Sequence, residues 1–471
     1  MKKDASGHVV CFKARLVAQG FSQVPGVDYF DTFAPVAKLA SIRTVLAMAA
    51  KLDFELHQID IKSTYLNGEL TKDENIYMRQ PPGYPASNSS GKVCHLLKTL
   101  YGLKQSGRHW YQKLVEILVK CLAFVRSDVD QAVFYRHGGH NGHASIIVVV
   151  HIDDCTIASS TLSLVVAFKR EIAQHVEITD LGELHWLLSI KIKRDRERRT
   201  IHLSQRSYLD SIIARYNFQD LKPVSTPMET SMRLSTSQAP ATTLEIAKMR
   251  DIPYLEAVGS LMYASLGTRP DISFAVQTVS WFSKNPGLAH WDTVKRIFRY
   301  LKGTMDLWLS YGTVKDKLIG YADADGSMAE DRHAISGYAF MLHGGAVSWS
   351  TKQQEIVSLS TTENEYVAIT QAAKEALWLR SLLSQVFPGK LDPTILFSDN
   401  QSAIALTKDH QYHARTKHID ICFHFICYVI ENGSIRLIYC PTDDMVADTL
   451  TKALPSAKVK HFASQLGLSA L

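Results

Sequence analysis

The sequence predicts a multidomain protein of mixed α and β structure, and three observations support this prediction. The chain has 471 residues, and at roughly 150 residues per domain this length suggests about three domains. Its residues are 46% hydrophobic and 21% charged, which is typical of globular proteins that bury more than one core. Short strand-like runs alternate with helical ones up to about residue 225, and a second strand-rich region begins after residue 312.

Composition and charge narrow the classes of function and location. The 52 Lys and Arg residues outnumber the 46 Asp and Glu residues slightly, and this surplus permits a polyanionic partner without requiring one. No apolar run approaches the roughly 18 residues that a membrane span needs, and the N-terminus lacks the apolar stretch of a secretory signal. Seven cysteines, an odd number, argue against a disulfide framework and favour the reducing interior of a cell.

The middle of the chain separates two structured regions. Residues 228–250 are rich in Ser, Thr and Ala and poor in large apolar side chains, which predicts a linker. Three helical patterns follow it: Tyr254–Leu266, Pro270–Phe282 and His290–Lys302. In the third, Lys295, Arg299 and Lys302 fall on one face. This cationic stripe either follows phosphates or is simply solvated, and the spacing does not decide between the two.

A pair of adjacent aspartates is the most informative feature of the N-terminal region. In residues 145–159, a β-branched run, Asp153 with Asp154, and a second apolar run predict a hairpin with both acids at its tip. Asp60 lies near the end of another predicted strand. Like charges held together repel, and a bound divalent cation offsets that repulsion. Three carboxylates suffice for two Mg²⁺ ions, although an ordinary polar turn explains the Asp pair equally well.

A second set of acids lies in the C-terminal region. A strand pattern over 317–325 places Asp323 and its rival Asp325 on one face. Asp399 ends another predicted strand, and Asp448 lies on a short terminal helix. Each of these acids has an alternative as an ordinary cap or strand-end residue.

The helix between these strands offers a further acid. Ser360 with Glu363 fits a capping box at its start, which leaves Glu365 free for another role. Thr362 with Glu365 fits the same box two residues later, so the spacing alone does not decide which glutamate is free.

Longer motifs follow one another along the whole chain. In the first part they are Phe12–Phe21, Thr32–Lys38, Gln58–Lys62, Leu66–Leu70, Leu100–Ser106, Ile152–Asp154 and Asp180–Leu184. In the rest they are Leu203–Arg206, Thr268–Ile272, Ser336–Tyr338, Ser348–Ser350, Ser398–Ala403, Arg415–Ile419, Ala447–Asp448 and Leu450–Lys452. With these motifs the sequence resembles the reverse transcriptase and ribonuclease H of copia-type retrotransposons, over residues 1 to about 455.

The resemblance implies a fold and a domain order. We expect an α+β fingers–palm–thumb polymerase followed by an α/β ribonuclease H-like domain. Residues 1–227 would form the fingers and palm, starting part-way through the family's fingers. Residues 228–313 would form a linker and a helical thumb or connection, and residues 314–471 the ribonuclease H-like domain. A fragment from about Val314 to Leu471 is expected to fold alone.

The resemblance also implies site residues. The metal ligands of the polymerase would be Asp60, Asp153 and Asp154, and those of the nuclease would be Asp323, Glu365, Asp399 and Asp448. Each site would hold two Mg²⁺ ions, with Mn²⁺ as a substitute, for phosphoryl transfer. Four further residues would contact the incoming nucleotide: Lys13 and Arg15 at its phosphates, Tyr65 as the gate against a ribose 2′-OH, and Gln105 in the template-facing loop. For Lys13, Arg15 and Gln105, a solvated surface role is the alternative.

The implied function is RNA-directed DNA polymerase with ribonuclease H activity. Its partners would be an RNA template, a DNA primer, the RNA–DNA hybrid and deoxynucleoside triphosphates, with other proteins of the element as further candidates and no membrane. Its location would be intracellular, in cytoplasmic virus-like particles, with the nucleus as a second compartment. The alternative is a catalytically decayed retrotransposon relic that at most binds nucleic acid.

Overall fold

The structure is a computed structural model, and its helices account for much of the chain. It describes residues 2–3, 9–11, 14–71, 73–83, 92–138, 144–314, 317–326, 333–357, 360–387, 389–407 and 420–471. The α-helices within these residues are α1 (Leu39–Leu52), α2 (Ser106–Val115), α3 (Leu162–Ile172), α4 (Arg206–Arg215), α5 (Thr243–Arg250), α6 (Tyr254–Gly267), α7 (Ser273–Ser280), α8 (Leu288–Gly303), α9 (Thr361–Val386), α10 (Gln401–Leu406), α11 (Asp420–Glu431) and α12 (Ser456–Gln465). None of the helices in these ranges combines the length and apolarity needed to cross a membrane.

The strands are mostly short. In chain order, those of the described residues are β1 (Lys2–Lys3), β2 (Val9–Cys11), β3 (Glu55–Ile61), β4 (Tyr77–Met78), β5 (Cys94–His95), β6 (Val125–Arg126), β7 (Val133–Gly138), β8 (Ala144–His151), β9 (Asp154–Ser159), β10 (Ile178–Glu183), β11 (Trp186–Leu187), β12 (Ile190–Asp195), β13 (Thr200–Ser204), β14 (Leu307–Tyr311), β15 (Ile319–Asp325), β16 (Ile335–Leu342), β17 (Gly345–Gln353), β18 (Thr394–Ser398), β19 (Ile435–Tyr439) and β20 (Leu468–Ala470).

The chain divides into two compact units. The first comprises Met1–Lys38 and Glu55–Glu183, and the second comprises Leu39–Phe54 and Leu184–Leu471. The boundaries predicted at 227/228 and 313/314 therefore both fall inside the second unit. The three-part division, like the fingers, palm and thumb assignments, stays a prediction about function.

A six-stranded antiparallel sheet forms the core of the first unit. Its strand order is β10-β3-β9-β8-β7-β6. β-Branched residues of the sheet, such as Ile59 and Val148, pack against Leu114 of α2 and Phe168 of α3. The predicted hairpin is confirmed as β8 and β9, because its two apolar runs are buried side by side in this sheet.

The second unit contains two sheets. One has the order β17-β16-β15-β18-β19, antiparallel from β17 to β15 and parallel from β15 to β19. Helix α9 packs against β15 and β16, which gives this part the α/β character expected from the sequence. The other sheet has the order β11-β12-β13-β14-β20 and is antiparallel throughout.

The second sheet ties the end of the chain to its middle. The final strand β20 pairs with β14, which precedes the predicted start of the nuclease domain. A fragment that begins at Val314 lacks both β14 and α1. The structure therefore gives no support to the expectation that this fragment folds alone.

The helices between the sheets follow the predicted order with two differences. Pro270 begins a separate 3₁₀ turn, Pro270–Ile272, ahead of α7, because proline suits a first turn and cannot continue a helix. The predicted linker also contains α5. This helix forms because Thr242 and Glu245 make a reciprocal capping box at its start.

The three cations of the α8 stripe are partly exposed, and each of them has a partner. The Arg299 Nε donates a hydrogen bond to the Lys222 carbonyl oxygen at 2.7 Å, and Lys302 Nζ donates to the Leu221 carbonyl oxygen at 3.0 Å. Lys295 pairs with Asp292 on its own helix at 2.6 Å. Two of the three cations therefore anchor residues 221–222 to the helix.

A buried ion pair explains the Thr268–Ile272 motif. The Arg269 guanidinium donates to both carboxylate oxygens of Asp271, at 2.9 and 2.7 Å, and both side chains are almost fully buried. Asp271 also accepts a hydrogen bond from the Tyr300 hydroxyl at 2.7 Å, and Arg269 donates to the Thr304 carbonyl at 3.1 Å. With all its hydrogen-bonding groups engaged, this pair connects the turn before α7 to the end of α8.

Arg43 joins helix α1 to the rest of the second unit. Its buried guanidinium donates to the backbone carbonyls of Val347, Leu266 and Gly267 at 2.8, 2.6 and 3.0 Å. The same group lies 3.8 Å from the centre of the Trp349 ring, a cation–π arrangement. Burial lowers the pKa of Arg43 to about 10, so it remains charged at neutral pH.

We expect Arg43→Met to destabilise the second unit by roughly 3 kcal/mol, because three buried carbonyls lose their donor. The measurement is urea unfolding followed by circular dichroism. As a control, Arg196→Met removes an arginine that pairs with Asp53 at the surface, at 3.5 Å, and should cost less than about 1 kcal/mol. Equal effects of the two substitutions would contradict a special role for Arg43.

Candidate active sites

The first unit brings Asp60, Asp153 and Asp154 together at one end of its sheet. Asp60 of β3 stands directly opposite Asp154 of β9 in the strand register. Asp153 lies in the two-residue turn between β8 and β9 and is exposed, whereas the other two are half-buried. Among the described residues, only a group in the second unit has three potential ligand atoms all within 4.8 Å of one another. The carboxylates of Asp60, Asp153 and Asp154 are therefore further apart than the group in the second unit.

Electrostatics at this trio are unfavourable without a cation. The pKa of Asp154 is raised by burial and by the charges of Asp153 and Asp60. A hydrogen bond from Gln58 Nε2 to the Asp154 carboxylate, at 3.1 Å, offsets part of this effect. A divalent cation would remove the remaining repulsion.

The turn that carries Asp153 is strained. Ile152 has φ of 62°, a left-handed conformation that is costly for a β-branched residue. Two hydrogen bonds hold it: the Trp110 indole N–H donates to the Ile152 carbonyl at 2.9 Å, and the Ile61 amide donates to the Asp153 carbonyl at 3.0 Å. These hydrogen bonds hold the backbone that carries Asp153 in one conformation.

Tyr65 lies beside the trio. It belongs to the 3₁₀ turn Thr64–Asn67, which follows β3. Its pKa is raised by burial and by the charge of Asp153. The ring meets that of Tyr101 edge-on with 5.3 Å between centroids, and the Arg15 guanidinium lies 5.3 Å from the centre of the Tyr101 ring. Arg15, Tyr101 and Tyr65 thus form a row of contacts, and Tyr65 is the member that Asp153 influences.

Gln105 stabilises the loop by hydrogen bonds to other residues of the first unit. It is buried, donates from Nε2 to the Asp28 carbonyl at 3.0 Å, and accepts a hydrogen bond from Gln23 at 3.1 Å. In the same motif, Gly102 has φ of 94°, and a Cβ there would come within 2.1 Å of the Ala18 carbonyl oxygen. Lys13, also predicted at the nucleotide, lies outside the described residues, as does the motif Arg415–Ile419.

The second unit gathers four acids from four different elements. Asp323 lies on β15 and Asp399 directly follows β18. Because these strands are parallel, their carboxyl ends meet at one edge of the sheet. Asp448 arrives on the 3₁₀ turn Val446–Leu450. Oxygen atoms of these three aspartates all lie within 4.8 Å of one another.

Glu365 is the fourth acid, and the helix start explains why. The Ser360 hydroxyl accepts the hydrogen bond from the Glu363 amide that caps α9, so the first of the two capping choices is the correct one. Glu365 is buried one half-turn further on and accepts a hydrogen bond from the Ala324 amide. Its Oε2 is buried and has no hydrogen-bond partner in the described part of the chain.

The charges of this cluster are only partly compensated. Burial and the charges of Asp323 and Asp399 raise the pKa of Glu365 to about 9. Burial and the charge of Asp323 raise the pKa of Asp448 to about 7. Lys452 is the compensating group, with its Nζ 2.8 Å from Asp448 and 3.7 Å from Asp323. An unpartnered carboxylate oxygen among crowded acids fits a divalent cation.

An open cleft of about 400 Å³ gives access to this cluster. It is lined by Glu365 and Asp399 together with polar residues that follow β18 and with Tyr439. Asp325, the rival of Asp323, lies at the end of β15 and is not a member of the cluster. The cleft therefore connects Glu365 and Asp399 with solvent.

Comparison with known proteins gives a consistent result. A family model described as reverse transcriptase (RNA-dependent DNA polymerase) matches residues 1–230. The chain is 41% identical to the retrovirus-related Pol polyprotein from transposon TNT 1-94 of Nicotiana tabacum, over 99% of this chain and 35% of that protein. This chain belongs to the Pol polyproteins of copia-type retrotransposons. It is also 37% identical to the Pol polyprotein from transposon RE1 of Arabidopsis thaliana, over 99% of this chain and 31% of that one.

This Pol chain spans about a third of the length of the curated relatives it matches. Among solved structures, it resembles LC11 ribonuclease H1 in complex with an RNA/DNA hybrid, with 16% identity and a TM-score of 0.23. That match covers 29% of this chain and 94% of the other.

Sequence reasoning missed the polar partners of the acids in this Pol chain. Gln58 precedes Asp60 by two residues, so both side chains lie on the same face of the strand. This spacing could have indicated that Gln58 lies near the acids. Lys452 follows Asp448 by four residues, a spacing that places both side chains on one side of a helical turn. Thr451 also donates a hydrogen bond to Asp323; it lies in the motif Leu450–Lys452, but that motif alone assigned it no role.

We expect the metal-free protein to lose stability as the pH rises, partly because of Glu365. Its pKa is about 9 in the folded protein and about 4.5 ordinarily. The folded state therefore binds the extra proton between these values, and stability falls across that window. Glu365→Gln should reduce the loss between pH 5 and pH 8 by roughly 2–4 kcal/mol. The free energy of unfolding of both proteins, measured in EDTA at pH 5 and at pH 8, gives this difference.

The matched control is Glu355→Gln, which changes an exposed glutamate paired with Lys352. This variant should keep the pH dependence of the unmodified chain. If Glu365→Gln keeps it too, then Glu365 is not the source of the effect.

Proposed function

We propose that this chain synthesises DNA on an RNA template and cleaves the RNA strand of the resulting hybrid. The proposal rests on one observation: each unit contains a cluster of acidic side chains, and the chain belongs to the Pol family. Two acid clusters of different construction support two phosphoryl-transfer sites. Because the chain covers a third of its relatives, both activities are proposed for this chain on its own residues.

In the polymerase reaction, Asp60, Asp153 and Asp154 would hold the metal ions. When bound, Mg²⁺ would lower the pKa of the primer 3′-hydroxyl and neutralise charge on the triphosphate. The strained turn at Ile152 would keep Asp153 at a fixed distance from Asp154 during each addition. Arg15 would contribute positive charge toward the triphosphate, as predicted from its motif.

Tyr65 would select the sugar. Its ring packs edge-on against the Tyr101 ring, and the nearby Asp153 carboxylate raises the pKa of its hydroxyl. A ring in this place would exclude a ribose 2′-OH and so favour deoxynucleotides. Gln105 would act indirectly, because it is already committed to the backbone at Asp28.

In the nuclease reaction, Asp323, Glu365, Asp399 and Asp448 would hold two divalent ions. When bound, these ions would activate a water molecule and stabilise the leaving oxygen. The partly exposed Asp399 and Tyr439 line the cleft through which the hybrid would approach. Thr442 donates to Asp399 at 2.9 Å and would orient that carboxylate.

The wider assignments remain part of the proposal. Residues 1–227 would supply polymerase functions, residues 228–313 the connection, and residues 314–471 the nuclease, although the compact units divide differently. RNA template, DNA primer, hybrid and deoxynucleoside triphosphates would be the partners, in the interior of a cell. The alternative is a decayed relic that at most binds nucleic acid, and it predicts that no carboxylate matters for catalysis.

The two activities should be separable by single substitutions. Asp153→Asn should abolish Mg²⁺-dependent primer extension and leave RNA cleavage of a hybrid intact, because it removes a charge in one unit only. Asp399→Asn should do the reverse. Both are measured on the full chain with labelled primer and labelled RNA, and losses of a hundredfold or more are expected.

Circular dichroism on both variants controls for folding. Equal activity of the unmodified chain and both variants would refute the metal assignments. Absence of both activities in a folded, unmodified chain would favour the relic.

Tyr65→Ala should raise the incorporation of ribonucleotides relative to deoxynucleotides by about tenfold or more, because the ring no longer meets the 2′-OH. Single-nucleotide extension with each sugar type gives the ratio. Tyr77→Ala is the matched control, since Tyr77 is 61% exposed and stacks on His95 within its own strand pair. A ratio that stays constant would make Tyr65 a packing residue.

A further inference from the structure

Lys452 occupies an unusual place among the acids of the second unit. Its side chain turns back along the helical turn, so that its ammonium lies 2.8 Å from Asp448 and 3.7 Å from Asp323. Both carboxylates are about 98% buried, whereas Lys452 is 30% exposed. The ammonium thus enters the cluster from its edge and contacts two of the four acids.

Among the described residues, neither Glu365 nor Asp399 forms an ion pair with a lysine or an arginine. Glu365 Oε2 is buried with no hydrogen bond in the described residues, and the Asp399 carboxylate receives one hydrogen bond from Thr442. The charges of Asp323 and Asp399 act strongly on Glu365. In the described part of the chain, the positive charge that contacts this cluster therefore lies beside Asp448 and Asp323.

We propose that Lys452 is a built-in cation that holds Asp323 and Asp448 together in the metal-free protein. It competes with a divalent ion for the oxygens of Asp323 and Asp448, so an ion that binds to these two carboxylates must first displace the ammonium. This inference rests on the proposed nuclease function and concerns the regulation of that site.

The physical reason is competition for the same oxygens. A lysine ammonium is a compact, strongly hydrated charge on a flexible stem, so it can leave for solvent when a divalent ion takes its place. Among the described residues, no lysine or arginine would have to leave Glu365, whose Oε2 has no hydrogen-bond partner there. Metal binding through Asp323 and Asp448 should therefore be weaker than it would be without Lys452.

Lys452→Met tests the idea because it keeps the length of the side chain and removes its charge. The readout is Mn²⁺ binding to the full chain, from the electron paramagnetic resonance signal of free Mn²⁺, at pH 8.5 to limit proton competition. The single variant Asp399→Asn should lack a Mn²⁺ site that the unmodified chain has. The single variant Lys452→Met should bind Mn²⁺ about tenfold more tightly or more at a site that is weak in the unmodified chain, as expected when a contacting charge is removed.

A second readout is the unfolding temperature. In EDTA, Lys452→Met should melt several degrees below the unmodified chain, because the acids lose their counter-charge, and Mn²⁺ should restore more of its stability. Lys458→Met is the matched control, since Lys458 pairs with the exposed Asp443 at 2.9 Å in the same unit. This variant should leave both readouts unchanged. Lys452→Arg keeps the charge and should behave like the unmodified chain.

The outcomes separate this inference from the function on which it rests. If Lys452→Met binds Mn²⁺ no more tightly than the unmodified chain, or more weakly, Lys452 does not compete with metal and the inference is wrong. If Asp399→Asn leaves Mn²⁺ binding unchanged, the acids bind no metal and the nuclease proposal fails first. An unfolded Lys452→Met in EDTA that refolds with Mn²⁺ also supports the inference.

Discussion

Repulsion between carboxylates that must lie close together is the constraint on which both candidate sites depend. The two units meet it differently. In the first unit, the acids are few and partly exposed, so that solvent and the Gln58 amide moderate their interaction. In the second unit, Asp323, Glu365 and Asp448 are buried, and burial strengthens every charge interaction between them. Such a cluster persists only if the surrounding structure is rigid and a cation is near.

Buried arginines far from the acids in sequence join neighbouring elements of the second unit. Arg43 fixes α1 to the carbonyls of β17 and α6, and Arg269 with Asp271 fixes the turn before α7. The turn Pro270–Ile272 in turn packs against the 3₁₀ turn that carries Asp448 and against α12. Each guanidinium satisfies several acceptors at once, which suits arginine better than lysine. The two arginines therefore connect elements that neighbour those carrying Asp323 and Asp448.

Much of this could be predicted from the sequence because it depends on local periodicity. The hairpin at Asp153, the strand that carries Asp323 and the helix that carries Glu365 all follow from alternation or capping patterns. The choice between Glu363 and Glu365 could not be made, because two capping boxes overlap in the sequence and only the backbone shows which one forms. The division into compact units could not be predicted either, because no local sequence pattern shows that Arg43 binds the carbonyl of Val347.

Charge partners were the least predictable feature, and they matter most for the choice between enzyme and relic. A cluster with a glutamate whose pKa is about 9 costs stability at neutral pH unless a cation is present. Neutralising a single acid would relieve that cost without disturbing the fold. A chain that no longer bound metal would gain stability from any such change. All four acids nevertheless remain, with Glu365 Oε2 unpartnered and Lys452 at the opposite side. In the proposed enzyme a bound cation would offset this cost, whereas a relic would gain nothing from keeping the four acids.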